Sequence, residues 1–441
     1  MMVASVIRAA ENGGDASAET RLNPARIGND EVRPDADGQR PIRLLVITSL
    51  YPDALRPRHG VFVEERLRHL VDSGRIAATV VAPVPWFPFR HQRFGAYATF
   101  ARVPRYEERH GIRILHPRYP VIPKLGMSIA PWLMYRALLP VLRNMQGNGM
   151  DFDLVDAHYF YPDGVAAARL GAALGKPVVI TARGSDVNVI ARYRLPARQI
   201  RWAAKRAAAV VTVSDALKNK VEALGVSPHK VVTLRNGVDL ERFQPLNRGA
   251  IRAKLDLAGP VWLAVGNLVE LKGVHITLAA LAKTAGATLL IAGEGPEKAR
   301  LRDLVNRLGV GARVRFLGDV AHTQLCDYYN AADVMVLASS REGMPNVVLE
   351  SLACGTPVVA APFDGVAELL NAPEAGEVAA QRSGDAIASA WLRLRDRAPA
   401  RAATRAFAER LGWQPVVEAQ HALYAQVLSA AGGGATRGAA A

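Results

Sequence analysis

Short runs of β-branched and aliphatic residues alternate with amphipathic stretches along most of this chain. In the first half the runs are "IRLLVIT", "AATVVAP", "DLVDAHYF", "PVVITAR", "AAVVTVS" and "KVVTLRNG"; in the second they are "VWLAVGN", "ATLLIAGEG", "RVRFLGD", "DVMVLASS" and "TPVVAAP". Apolar runs of this length read as strands covered on both faces. Helical periodicity between them, as after Val61 and after Pro196, turns each into a parallel βα unit. The pattern predicts an α/β fold of two doubly wound domains, over residues 41–245 and 259–405, with a linker over 246–258. A helix over 406–430 is expected to return to the first domain. Residues 1–40 and 431–441 are polar and aperiodic, and are expected to form a disordered leader and tail. In such sheets ligands gather beyond the carboxyl ends of the strands, and most runs here end in Gly, Ser or Asn before a helix.

Composition narrows the partners. A length of 441 residues fits two domains, and 50% hydrophobic with 22% charged residues is ordinary for a globular chain. The net charge of +15 favours nucleic acid, an anionic membrane face or phosphorylated small molecules. No basic run is interleaved with stacking aromatics, so nucleic acid is not expected. The opening apolar run is too short for a signal peptide. The stretch "VIPKLGMSIAPWLMYRALLPVL" is broken by Lys124, Pro131, Arg136 and Pro140, so it is expected to lie on a bilayer instead of crossing it. Cys326 and Cys354 stand far apart in sequence and form neither a ligand set nor a disulfide framework, which points to a reduced, cytoplasmic setting.

The chemistry concentrates in "SSREGMPNVVLESLACGTPVVAA". A buried strand leads to Pro345, which suits the first turn of a helix. The amides of Asn346 and Val347 then lie free at the helix start, where donors and dipole favour an anion. Glu342 precedes that helix and Glu350 lies in its second turn. Two carboxylates around an anion hole fit a ligand with hydroxyls on both sides of its phosphates, as in a sugar nucleotide. Glutamates that merely favour a helix start are the plainer alternative. Three loops at the same rim support the ligand reading. "VGNLVELKG" brings Lys272 to the next helix, "IAGEGPE" offers Gly293 and Gly295 for close backbone approach, and "FLGDVAH" places Asp319 and Val320 where backbone can hold a base.

The run "EGMPNVVLESLACGTPVVAAPFDGVAELL", with "VGNLVELKG", "IAGEGP" and "FLGDV" before it, resembles glycosyltransferase family 4. The resemblance extends from Ile42 to about Leu428 and implies a GT-B fold, with two Rossmann-like domains facing across a cleft. It implies a retaining, metal-independent transferase whose donor is a UDP- or GDP-sugar and whose only cofactor-like molecule is that substrate. The donor would meet Gly60, Asn267, Gly343, Met344, Pro345, Asn346, Val347 and Glu350. His158, in "DAHYFYPDG", maps to the active-site histidine and joins Lys272 and Glu342 as the catalytic set. "TARGSDVN" resembles the acceptor loop and assigns Arg183, Ser185 and Asp186 to acceptor binding, with Arg183 where many relatives carry histidine. Asn267 stands where many relatives place an arginine that grips the diphosphate; Arg235 or an arginine of "RPRHG" is a candidate replacement.

Sugar transfer passes through an oxocarbenium-like state while negative charge grows on the departing diphosphate, and selective stabilisation of that charge accelerates the step. "DFD" at Asp151–Asp153 precedes its strand, at the end away from the rim, and is expected to be a surface turn without metal. Arg198, Arg201, Trp202, Lys205 and Arg206 fall on one helical face; with "FRHQRF" and "SIAPWLMYRALL" they predict a peripheral contact with anionic lipid and a lipid-linked saccharide as acceptor. The rivals are a sugar-nucleotide epimerase, a glycosidase using the two glutamates, and a non-catalytic nucleotide-sugar sensor. A glycosidase has no phosphate for Lys272 to hold.

Overall fold

The computed structural model describes residues 40–438 except 88, 90, 92, 94 and 122–125. Strand β1 (Ile42–Ile47) shows why the chain winds as it does. Leu45 and Ile47 pack into one buried cluster and Leu44 and Val46 into another, so the period of two feeds both faces of the sheet. β2 (Ile76–Val81), β7 (Leu154–His158), β8 (Val178–Ala182), β9 (Ala209–Thr212) and β10 (Val231–Thr233) extend this sheet with parallel pairing. β4 (Tyr106–Arg109) and β5 (Ile112–Leu115) form an antiparallel hairpin at its edge, giving the order β10-β9-β8-β7-β1-β2-β5-β4. β3 (Val84–Trp86) and β6 (Arg118–Pro120) pair separately.

The second sheet has the order β13-β12-β11-β14-β15-β16 and is parallel throughout. Its strands are β11 (Val261–Val265), β12 (Thr288–Ala292), β13 (Val314–Gly318), β14 (Val334–Leu337), β15 (Val358–Ala360) and β16 (Gly376–Val378). β11 repeats the alternation of β1: Val261 and Leu263 enter one core, Trp262 and Ala264 the other. In each sheet the strand order reverses beside the first strand, between β1 and β7 and between β11 and β14, which opens a crevice at their carboxyl ends.

The chain crosses between domains twice, and the crossings touch. Val238 N–H donates to the Leu411 carbonyl at 2.9 Å, and a Cβ on Gly237 would sit 2.6 Å from the Trp413 Cα. Val238 and Phe243 already belong to the second core, so the crossing precedes the expected linker, part of which forms the helix Arg248–Lys254. The helix Trp413–Gly438 then places Val417, Tyr424 and Val427 in the core beneath β1, beside the helix Val61–Asp72.

The hairpin β4–β5 and the short strands β3, β6 and β16 were not anticipated. Charged residues interrupt the hairpin sequence, and its turn is made by His110 and Gly111, both at positive φ. Cys326 and Cys354 also differ from expectation. Both are buried free thiols, yet their sulfurs lie 3.8 Å apart because consecutive helices on one face of the second sheet bring them together.

Candidate functional site

The loop between β14 and the helix Asn346–Ala353 sits at the second crevice. Pro345 caps this helix from outside, and the first intrahelical bond runs from Val348 N–H to the Pro345 carbonyl. The amides of Asn346 and Val347 therefore precede the helical ladder, as the sequence indicated. Met344 packs against the cores of both domains and pins the loop between them.

Lys272 ends a short turn after β11, and its Nζ donates to Glu342 Oε1 at 2.7 Å. Two of the expected catalytic residues are thus an ion pair at the helix start. Glu350, one turn inside the same helix, is buried. Tyr329 donates its hydroxyl to one carboxylate oxygen at 2.8 Å, and His322 Nε2 lies 3.0 Å from the other. On its far side His322 Nδ1 faces Arg242 at 3.1 Å and Glu65 of the first domain at 3.6 Å. Burial pulls the His322 pKa down, but the bond to Glu350 and the charges of Glu350 and Glu65 outweigh it, so the net shift is upward. Neither His322 nor Tyr329 was singled out in the sequence; "FLGDVAH" ended on this histidine, but its partner Glu65 comes from another domain.

The glycines at the rim also pack loop against loop. A Cβ on Gly60, which has φ 78°, would collide with the Leu50 carbonyl; one on Gly293 would strike the Gly266 carbonyl, and one on Gly295 the Leu268 carbonyl. These positions must be small because neighbouring protein backbone lies where a Cβ would stand. Gly343 is similar but more telling, since a Cβ there would overlap the carbonyl oxygen of Arg183 in the opposite domain.

His158 ends β7 as expected but is 1% exposed, with both ring nitrogens engaged. Nε2 lies 3.0 Å from Asp156 Oδ2, and the Arg183 guanidinium approaches Nδ1 at 2.6 Å. A guanidinium can only donate, so Nδ1 is the acceptor and Nε2 carries the proton to Asp156. Burial pushes the His158 pKa down, consistent with a neutral ring. The histidine expected in the catalytic set thus has both ring nitrogens held by protein groups. Asp156 is also held by the Tyr424 hydroxyl at 2.7 Å, so the returning C-terminal helix braces the histidine.

In the acceptor loop, Asp186 is fully buried and accepts from the amides of Phe160, Arg183, Gly184 and Val187, so its carboxylate shapes the loop and is not offered to a substrate. Ser185 is exposed and its hydroxyl lies 2.7 Å from that of Tyr159, a residue at φ 82° on the exit of β7. Arg183 stacks on Phe62 at 5.2 Å and bonds Asn236 Oδ1 at 3.1 Å, and Asn236 in turn donates to Asn346 Oδ1 at 2.8 Å. Burial draws the Arg183 pKa down to about 9, with Arg66 adding to the effect.

The two candidate replacements for an arginine at position 267 are occupied elsewhere. Arg235 pairs with Asp215 and Glu368 at 2.5 and 2.8 Å. In "RPRHG", Arg56 pairs with Asp53 at 2.6 Å, while Arg58 crosses the cleft to Asp319 and to the Val320 carbonyl at 2.7 Å. Asp151 and Asp153 pair with Arg40, Arg43 and Lys176 at the opposite end of the sheet. Among the described residues no group of three or more His, Cys, Asp or Glu side chains is arranged to hold a metal ion, and no helix is long and apolar enough to cross a membrane.

Comparison with known proteins follows the same two halves. The sequence profile of glycosyl transferases group 1 matches residues 248–410, and that of glycosyltransferase family 4 matches residues 59–242. A putative teichuronic acid biosynthesis glycosyltransferase, TuaC, of Bacillus subtilis (strain 168) is 32% identical over 338 residues, covering 75% of this chain and 83% of the relative. A D-inositol 3-phosphate glycosyltransferase of Mycobacterium tuberculosis (strain ATCC 25177 / H37Ra) is 34% identical over 240 residues, 50% of this chain and 48% of the relative. Among solved structures, sucrose-phosphate synthase from Thermosynechococcus elongatus superposes with a TM-score of 0.72 at 21% identity, covering 89% of this chain and all of the other. Anabaena HepE in complex with UDP-glucose gives 0.63 at 20% identity, covering 88% and 99%.

Proposed function

This chain belongs to glycosyltransferase family 4 and has the GT-B fold, and from that premise we propose that it moves a sugar from a nucleoside diphosphate donor to a saccharide or lipid-linked saccharide, with retention of configuration and without a divalent metal. As a glycosyltransferase it serves polysaccharide or glycoconjugate assembly, the setting named for its Bacillus relative. The observation that carries the finer reading is the Lys272–Glu342 pair at the mouth of the Asn346–Ala353 helix, with Glu350 one turn further in. The diphosphate takes the amides and Lys272, Glu342 orients the sugar, and Glu350 takes the ribose diol. HepE, whose fold this chain shares, was crystallised with UDP and with UDP-glucose, and the donor proposed here is of that class.

Charge on the leaving oxygen grows as the anomeric bond breaks, so Lys272 and the helix start act more strongly on the transition state than on the bound donor. The departing phosphate receives the acceptor proton on the same face, which gives retention without a protein nucleophile. His158, buried and neutral, is a brace for Arg183. A thermal-shift panel of UDP-, GDP- and ADP-sugars tests the donor class. A sugar nucleotide that stabilises the chain and is consumed only with acceptor supports the reading; conversion of donor alone to its epimer contradicts it.

The acceptor side carries a surface suited to anionic lipid. Met127, Ile129, Trp132, Tyr193 and Leu195 are exposed, and Gln199 Nε2 bonds the Ser128 carbonyl at 3.0 Å, joining their two segments. Arg136, Arg194, Arg198 and Arg201 surround them, all exposed. Trp202, expected to face lipid, is instead half-buried between Arg169 and Arg206 at 4.7 and 4.5 Å. The "FRHQRF" segment lies partly outside the described residues. Flotation with anionic and neutral vesicles tests this surface: Trp132→Ser should lower binding to the anionic vesicles, and equal binding by wild type to both kinds would contradict it.

A further inference from the structure

We propose that Arg183 supplies the positive charge that Asn267 lacks, so that the donor diphosphate is gripped between Lys272 of the second domain and Arg183 of the first. This deepens the donor reading above and rests on it.

Arg183 sits where two helix starts meet. Its guanidinium lies over Phe62, in the first turn of the Val61–Asp72 helix, and is linked through Asn236 to Asn346, the first residue of the helix that faces it. Its own carbonyl touches Gly343 of the loop that bears Glu342. Both helices direct free amides and positive dipole ends toward this place.

The side chain is also incompletely satisfied. Arg183 is 9% exposed; its hydrogen-bond partners, His158 Nδ1 and Asn236 Oδ1, are neutral, and its Nε is buried with no partner among the described residues. The nearby carboxylate of Asp186 is taken up by four backbone amides, and that of Asp156 faces His158 and Tyr424. A buried fork with a spare donor and neutral partners is matched to an incoming anion. Of the other cations near the cleft, Arg235, Arg56, Arg58 and Arg242 are committed to carboxylates and Arg382 to the carbonyls of Ala338 and Glu270; Arg66, whose Nη1 also lacks a partner among the described residues, is 1% exposed and held by Gln420 and the Leu234 carbonyl. Arg341 is exposed beside Glu342 and serves as the comparison variant.

The test is calorimetric titration of inorganic pyrophosphate and of UDP into the full chain. The variants are Arg183→Gln, Arg341→Gln and the double variant Arg183→Gln with Asn267→Arg, with cooperative melting checked for each. Arg183→Gln should weaken pyrophosphate and UDP by about tenfold or more, and the arginine restored at 267 should recover most of the loss. Should Arg183→Gln fail to melt cooperatively, Arg183→Lys takes its place, and Asn267→Arg must tighten UDP binding in that background. The proposal is overturned if a folded Arg183 variant binds both probes as wild type does while its KM for acceptor rises. It is equally overturned if Arg341→Gln shows the loss instead, or if the arginine at 267 recovers nothing. A wild-type chain that binds neither probe removes the donor reading itself, and this proposal with it.

Discussion

Gly184 and Gly343 face each other across the cleft, so close that a Cβ on Gly184 would sit 2.9 Å from the Gly343 Cα. Gly184 has φ 132°, a backbone conformation rare for other residues, and the Arg183 carbonyl fills the space beside Gly343. The domains therefore meet backbone to backbone, beside the loop that carries Glu342.

A methyl group there should hold the domains apart. Gly343→Ala is expected to lower kcat by about a hundredfold while leaving the melting temperature close to wild type, because the strain is relieved by opening the cleft. Steady-state kinetics beside a thermal melt checks both halves; unchanged kcat would mean that the close contact is not used in turnover.

Lys272→Ala removes the cation proposed to meet the departing diphosphate and leaves Glu342 without its partner at 2.7 Å. A loss of about 10²–10³ in kcat is expected, by analogy with removal of one donor from an oxyanion site. Single-turnover rates at saturating donor measure it.

Glu350→Ala should act mainly on binding. The carboxylate is held from behind by Tyr329 and His322, so its removal also leaves the Tyr329 hydroxyl unpaired in a buried site. UDP affinity is expected to fall by about tenfold, and stability by about 1–3 kcal/mol. Calorimetry and denaturant melts separate the two effects.

Tyr424→Phe tests the brace from the C-terminal helix. The substitution removes the 2.7 Å bond to Asp156 and strands the Gln420 amide that donates to the same hydroxyl. Stability should drop by about 1–3 kcal/mol, read from urea unfolding.

Asp163 gives a pH signature. It is fully buried against Ser49, whose amide and hydroxyl donate to it at 2.6 and 2.9 Å, and burial pushes its pKa from 3.8 to about 7 against those bonds. The folded chain then holds a proton that the unfolded chain has lost, so this group's contribution to stability is full below pH 4 and is lost as pH rises to about 7. Across that range the melting temperature of wild type should fall relative to that of Asp163→Asn. Parallel curves would remove Asp163 as the cause.

Much of the fold was legible because burial on both faces imposes a simple code. The central strands are dominated by apolar residues, with few breaks such as Arg43 in β1 and Asp156 in β7, and the motif loops follow those runs. The antiparallel hairpin was hidden because "YEERHGIRIL" mixes charge with strand residues at a sheet edge, where one side need not be apolar. In the site, Glu342, Lys272 and Glu350 were readable because they share a few consecutive loops. Other contacts join distant parts of the chain: Tyr424 to Asp156, Glu65 toward His322, Arg183 to Gly343, and one cysteine to the other. Short-range pattern carries no trace of such pairs. The glycines were found for a reason that proved incomplete, since their positions recorded close packing of loop on loop as well as nearness to the rim.

The most direct measurement is a crystal structure of the chain with UDP grown in EDTA. Diphosphate oxygens are expected within hydrogen-bond reach of Lys272 Nζ and of the amides at the start of the Asn346–Ala353 helix, with the ribose hydroxyls on Glu350. A nucleotide bound elsewhere, or one that enters this cleft only when a divalent cation is supplied, would contradict this reading.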